Sequence, residues 1–179
     1  MKTAAIFIIS SLLLSQNAMA IDDMTSQAKH AVELGWQYFS RGDAETALKR
    51  FNQARILKKD FAPAYFGTAY VLSAQNRLEE AIPYYRTTID LEPSFPHAHS
   101  NLGLALLYSG EKTEALKPLQ EAVDLAPKDG DVNVNLAIWY YEDGQYANAW
   151  KYLKVARENG ANIKESFVAD LSEKMKEPR

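Results

Sequence analysis

Apolar and polar residues along the chain follow three patterns. From Ala4 to Leu14 almost every residue is apolar. From residue 28 onward, apolar and small residues recur three and four apart, the spacing of one helical face. Beyond the last of these, Ile163, Phe167, Leu171 and Met175 recur every four residues, with Lys164, Glu165, Glu173 and Lys174 between them. That final stretch predicts an amphipathic helix.

The middle pattern repeats with a period of 34 residues. Gly35, Ala69, Gly103 and Ala137 share one column, and Ala47, Ala81, Ala115 and Ala149 another. A third column holds Phe51, Tyr85, Leu119 and Leu153, and a fourth Ala54, Thr88, Ala122 and Ala156. Gly42, Asn76, Gly110 and Gly144 recur on the same step, at residues where positive φ costs little. Each period therefore predicts two helices joined by a tight turn. Small residues on both helices let their backbones approach closely. Pro93 and Pro127 fall where the second helices end, a place where proline stops a helix without breaking it.

These columns resemble the tetratricopeptide repeat, whose pattern is W-x2-L-G-x2-Y, then Ala, an aromatic and Pro. Leu34-Gly35-x2-Tyr38 and Leu102-Gly103 carry the match, and it extends over four units, 28–61, 62–95, 96–129 and 130–163. The departures are local. Tyr65, His99 and Asn133 stand where the pattern opens on Trp, and Lys59 and Ala161 replace the closing Pro. Pro83 and Pro118 lie near the starts of second helices. The resemblance implies an all-α fold, a right-handed superhelix of four helix–turn–helix repeats. Residues 164–176 are expected to form a C-terminal capping helix and 177–179 a tail. Stacked repeats need such a cap, because a terminal repeat otherwise shows its apolar face to water.

The first twenty residues read differently. Met1-Lys2, the apolar run and Asn17-Ala18-Met19-Ala20 have the form of a secretory signal peptide, with the small residues a signal peptidase needs. Cleavage is expected after Ala20 and export to a bacterial periplasm follows from it. Residues 21–27 are expected to be a short flexible lead. Without cysteine the chain can carry neither a lipoprotein anchor nor disulfides. Losing Lys2 takes the net charge from -3 to about -4.

Composition removes further possibilities. Zero cysteine excludes thiol nucleophiles, Cys-type zinc sites and iron–sulfur clusters. A mildly negative chain, with basic residues scattered among acids, offers no stripe for nucleic acid. No G-x-x-x-x-G-K-[ST], G-x-G-x-x-G, H-E-x-x-H or G-x-S-x-G motif occurs. His97 and His99, two apart on a helix, point in different directions and do not chelate together. Glu79, Glu80, Glu111 and Glu114 lie where helices begin and complement the helix dipole. No enzyme activity, cofactor or metal is expected.

The resemblance implies that the first helix of each unit lines a concave groove for a peptide or a partner helix. The matching positions are Trp36, Phe39, Phe66, Tyr70, Asn101, Leu104, Leu107, Tyr108, Asn135, Ile138 and Tyr141. The stretches 62–75 and 96–109 contain no Lys, Arg, Asp or Glu, whereas Lys49, Arg50, Arg55, Lys58, Arg86, Lys117, Lys151 and Lys154 sit on second helices. An uncharged, aromatic groove suits an amphipathic helix or an apolar strand. In similar repeats an Asn at the position of Asn101 and Asn135 bonds a peptide backbone; local pairing is the alternative. The carboxylate-clamp subtype, which grips acidic tails, needs several cations in the groove. Only Lys29 is basic on that side, with Arg41 at a helix end.

Two functions follow. The first is a periplasmic adaptor or scaffold in envelope assembly, such as secretion, pilus or cell-wall machinery. The second is a holding chaperone that uses the same face on many unfolded clients. The same apolar residues would also suit the interface of a homodimer, so monomer and dimer both stay open.

Overall fold

Helix boundaries follow the local chemistry of the repeat. The computed structural model describes residues 2–178, with side chains from Ala20 onward. Among these residues the chain forms nine helices and no strand. They are α1 (Lys2–Ser40), α2 (Ala44–Leu57), α3 (Ala62–Ala74), α4 (Leu78–Leu91), α5 (Pro96–Tyr108), α6 (Lys112–Leu125), α7 (Gly130–Glu142), α8 (Tyr146–Glu158) and α9 (Glu165–Lys174). The even-numbered helices start at 44, 78, 112 and 146, a step of 34 each time. All four turn residues adopt positive φ: 82° at Gly42, 59° at Asn76, 94° at Gly110 and 75° at Gly144. Asp43 caps α2 by accepting from the Thr46 N–H at 3.0 Å, and Asp129 caps α7 by accepting from the Val132 N–H at 3.0 Å. Side-chain caps of this kind stabilise a helix start by about 1 kcal/mol.

The repeating columns are the core. Ala47, Ala81, Ala115 and Ala149 are fully buried, and so are Phe51, Leu119 and Leu153, with Tyr85 almost so. The small column exists because the large one presses into it. A Cβ added to Gly103 would overlap the Leu119 side chain and stand 3.0 Å from the Ala115 carbonyl oxygen. Gly35 faces the Phe51 ring in the same way. Thr68 and Thr88, polar in otherwise apolar columns, are buried with their hydroxyls donating to the Ala64 and Tyr84 carbonyls at 2.9 Å. Those bonds remove the desolvation cost of a buried hydroxyl.

Two compact units divide the chain, one up to Val71 and one from Leu72 onward. In the first, α1 and α2 pack against each other around Ala28, Ala31, Val32, Ala47, Phe51 and Ala54. In the second, α5 pairs with α6 and α7 with α8, and α5 also touches α7. There α9 lies against the last repeat, with Leu171 fully buried beside Trp150 and Leu153. The Trp150 indole N–H donates to the Met175 carbonyl at 2.9 Å, and Arg157 pairs with Glu177 at 2.8 Å.

One expectation is corrected. Residues 21–27 are not an irregular lead but a continuation of α1. Nothing in the segment breaks a helix: it has no Gly or Pro, and two of its polar side chains bond within the helix. Gln27 donates to Asp23 at 2.9 Å, and Thr25 donates to the Ile21 carbonyl at 2.9 Å. The side chains of 2–19, which carry most of the expected leader's pattern, are not among the described ones. Among the described residues no helix is long and apolar enough to cross a membrane.

Candidate functional site

The first-helix positions form a separate face in each unit, and the two faces have different physical characters. In the N-terminal unit Trp36 is the hub of a ring cluster. Its indole lies 5.1 Å from Phe51, 5.3 Å from Tyr70, 6.1 Å from Phe66 and 6.3 Å from Phe39, centroid to centroid. Phe39 and Tyr70 meet edge to face at 5.6 Å and 87°. Each such pair contributes about 0.5–1.5 kcal/mol beyond its area burial. Trp36, Phe39 and Phe66 are half-buried, and Tyr70 is 39% exposed. This face is aromatic because α1, α2 and α3 use the rings to hold one another.

The C-terminal unit carries a more open face. Leu104 on α5 and Ile138 on α7 are half-buried, Leu107 is buried, and Tyr108 is 59% exposed. Asn135 on α7 donates to the Ser100 hydroxyl on α5 at 2.8 Å, tying the two first helices together. Its amide is thereby used in packing. Asn101 is half-buried and its amide has no hydrogen-bond partner among the described residues. The Tyr141 ring turns toward the cap, 5.5 Å from Phe167 and 5.8 Å from Tyr146. It supports the end of the face more than it lines it.

Charge enters at the end of this face. Helix α5 has no ionisable acid or base except its two histidines and Tyr108, but α7 ends on Glu142. Burial, and secondly the Glu142 carboxylate, push the Tyr108 phenol above its ordinary value. The Glu142 charge is therefore felt at the phenol. Neither the Glu142 carboxylate nor the Tyr108 hydroxyl has a hydrogen-bond or ion-pair partner among the described residues. Lys112 stands nearby but is already engaged. Its ammonium bonds the Glu142 carbonyl at 2.7 Å and the Asp143 carboxylate at 2.8 Å, and lies 6.0 Å over the Trp139 ring. That bond holds the Asp143 carboxyl below the usual carboxylate range. Along α5 there is no Lys, Arg, Asp or Glu, whereas α7, on the same expected groove side, ends on the acid Glu142. The signal was present in the column Ser40, Ala74, Tyr108 and Glu142, but it is one residue at a helix end.

Other candidate chemistry is consumed by structure. His97 lies 3.3 Å from Asp129, while His99 bonds the Pro93 carbonyl at 2.8 Å. His99 Nδ1 is 3.2 Å from Glu121 but without hydrogen-bond geometry. The two histidines serve different neighbours. A shallow hollow of about 340 Å³ beside His99 is edged by Arg86, Glu114, Lys117 and Glu121. Those residues pair among themselves, Arg86 with Glu114 at 3.5 Å and Lys117 with Glu121 at 3.7 Å. Among the described residues no three His, Cys, Asp or Glu side chains are placed to hold a metal ion.

The tetratricopeptide repeat profile matches residues 32–99, 69–130 and 100–162 in overlapping segments. The chain belongs to the tetratricopeptide repeat family. Among curated relatives it is 28% identical over 137 residues to the TPR repeat-containing protein YpiA of Bacillus subtilis, covering 75% of this chain and 32% of that one. It spans about a third or less of the curated relatives it matches. Among solved structures, the TPR protein TTC0263 of Thermus thermophilus superposes with a TM-score of 0.73 at 21% identity, covering 83% and 82% of the two chains. YrrB, described as having an unusual peptide-binding site, gives 0.66 at 20% identity over 88% and 78%. The first TPR of Spaghetti (RPAP3), bound to the HSP90 peptide SRMEEVD, gives 0.62 at 18% identity over 66% and 94%. These likenesses establish an all-α helical repeat, and repeats of this kind serve as protein–protein interaction scaffolds.

Proposed function

We propose that this tetratricopeptide repeat protein is an exported adaptor that holds a peptide or amphipathic helix of a partner on its first-helix faces. The observation that carries the reading is the C-terminal unit's face. Leu104 and Ile138 are partly exposed, Tyr108 projects, and α5 places no charged side chain among them. A monomer has no reason of its own to leave such a strip open. Covering about 500 Å² of apolar surface there releases on the order of 12 kcal/mol before ordering and association costs. Those costs leave affinities around micromolar. The peptide-binding site named for YrrB and the HSP90 peptide bound to Spaghetti support a peptide partner.

The leader-like first twenty residues support a periplasmic site of action, and a role in assembling an envelope machine is the natural work of an exported adaptor. The test uses the mature chain as bait in envelope extract, beside Leu104→Asp checked for unchanged helicity. One stoichiometric partner that Leu104→Asp loses supports the adaptor. Many weak clients turn the reading toward a holding chaperone. Recovery unchanged by the folded variant contradicts it.

A further inference from the structure

Building on the adaptor reading, we infer that the partner segment seated on the C-terminal unit's face is basic as well as apolar, with a Lys or Arg at the Tyr108–Glu142 end. Three features of that end favour a cation. Helices α5 and α7 both finish there, at Tyr108 and Glu142, so their carbonyl ends present partial negative charge to the same place. The Glu142 carboxylate adds a full charge with no ion-pair partner among the described residues. Lys112, whose ammonium bonds the Glu142 carbonyl, is paired with Asp143, and the Glu142 carboxylate itself has no ion-pair partner among the described residues. Tyr108, whose phenol feels that carboxylate's charge, supplies an exposed aromatic ring, a surface on which an ammonium or guanidinium packs.

Charge elsewhere on the face does not oppose this. Helix α5 carries no Lys or Arg, and α7 carries no Lys or Arg and one further acid, Asp131, in its first turn. His97, the exposed histidine near the opposite end, is engaged with Asp129. An acidic segment would meet repulsion at Glu142 and no cation along α5 or α7 to answer it. A neutral apolar segment would leave Glu142 unanswered. A basic amphipathic helix satisfies both parts, its apolar stripe on Leu104 and Ile138 and its cation between Tyr108 and Glu142.

The experiment measures binding of the mature chain to three acetylated 14-residue amphipathic helices. They share one Leu stripe and carry Lys, Gln or Glu at every polar position. We expect the Lys peptide to bind about threefold to tenfold more tightly than the Gln peptide, the size of an exposed ion pair with an aromatic neighbour. The Glu peptide should bind most weakly. Glu142→Gln should bring the Lys-to-Gln ratio close to one. Glu173→Gln on α9 removes the same charge elsewhere and should leave the ratio alone. Tyr108→Ala, at an exposed position that tolerates truncation, should weaken all three peptides. Equal affinities for Lys and Gln peptides, with the Tyr108→Ala loss intact, overturn the basic-partner inference and spare the adaptor reading. A Lys preference that survives Glu142→Gln, or that Glu173→Gln abolishes equally, also overturns it. Binding by none of the three, or binding indifferent to Tyr108→Ala, overturns the docking face itself and the inference with it.

Discussion

The N-terminal unit has the more aromatic first-helix face, and the C-terminal unit has the more available one. Around Trp36, four other rings lie within 6.3 Å, and two of them, Phe39 and Tyr70, meet each other edge to face. Those rings already have partners, and displacing them would cost packing. On α5 and α7 the residues in the Trp36 column, Leu104 and Ile138, are smaller. Tyr108 is left 59% exposed, and the Asn101 amide and the Glu142 carboxylate have no partner among the described residues. An abundance of aromatic side chains therefore marks where the fold holds itself. Unmet side-chain valence marks where something else can sit.

The largest effect that would test this contrast is on stability. Trp36→Ala should cost about 3 kcal/mol in urea unfolding, because it empties the hub of the ring cluster. A loss under 1 kcal/mol would mean the cluster is a surface ornament and the contrast is false. The two asparagines give the next test. Asn135→Ala should cost about 1 kcal/mol, because it breaks the α7–α5 bond and leaves the buried Ser100 hydroxyl unpaired. Asn101→Ala should change stability by less than about 0.5 kcal/mol, as expected of a position without a partner. Reversal of that order in thermal melts would assign the roles the other way.

Smaller still is the effect of Tyr108→Ala on the fold, expected within about 0.5 kcal/mol although the side chain is large. The last prediction concerns the same phenol in alkali. Burial first, and Glu142 second, favour its neutral form in the folded chain. The folded protein thus holds that proton more tightly than the unfolded one. The resulting stability is complete below the ordinary tyrosine value of 10.0 and is lost as pH rises through the raised folded value. Ultraviolet titration of phenolate should show Tyr108→Phe removing a late-titrating tyrosine. Glu142→Gln should shift that titration only part of the way down, since burial remains.

The repeat was legible in the sequence because each column is a packing constraint met four times. The fully buried alanines at 47, 81, 115 and 149 and the positive-φ turn residues each follow from one residue type at one spacing. The helical state of 21–27 was missed because polarity before a repeat reads as a lead, whereas the absence of Gly and Pro lets α1 run through. The two faces were legible only as columns. Identity alone does not show that the Trp36 rings satisfy one another, that Tyr141 turns to Phe167, or that Asn135 is bound to Ser100. Those are relations between helices, fixed by side-chain direction. The Glu142 charge was visible, but Tyr108, whose phenol feels it, lies on another helix, 34 residues earlier.

The most direct test of the central claim is a methyl-labelled NMR titration of the chain with the Lys-bearing amphipathic peptide. Shifts at the Leu104 and Ile138 methyls, with Val32 and Val71 of the N-terminal core unmoved, are the predicted result. Shifts at Val32 and Val71, with Leu104 and Ile138 unmoved, would contradict it.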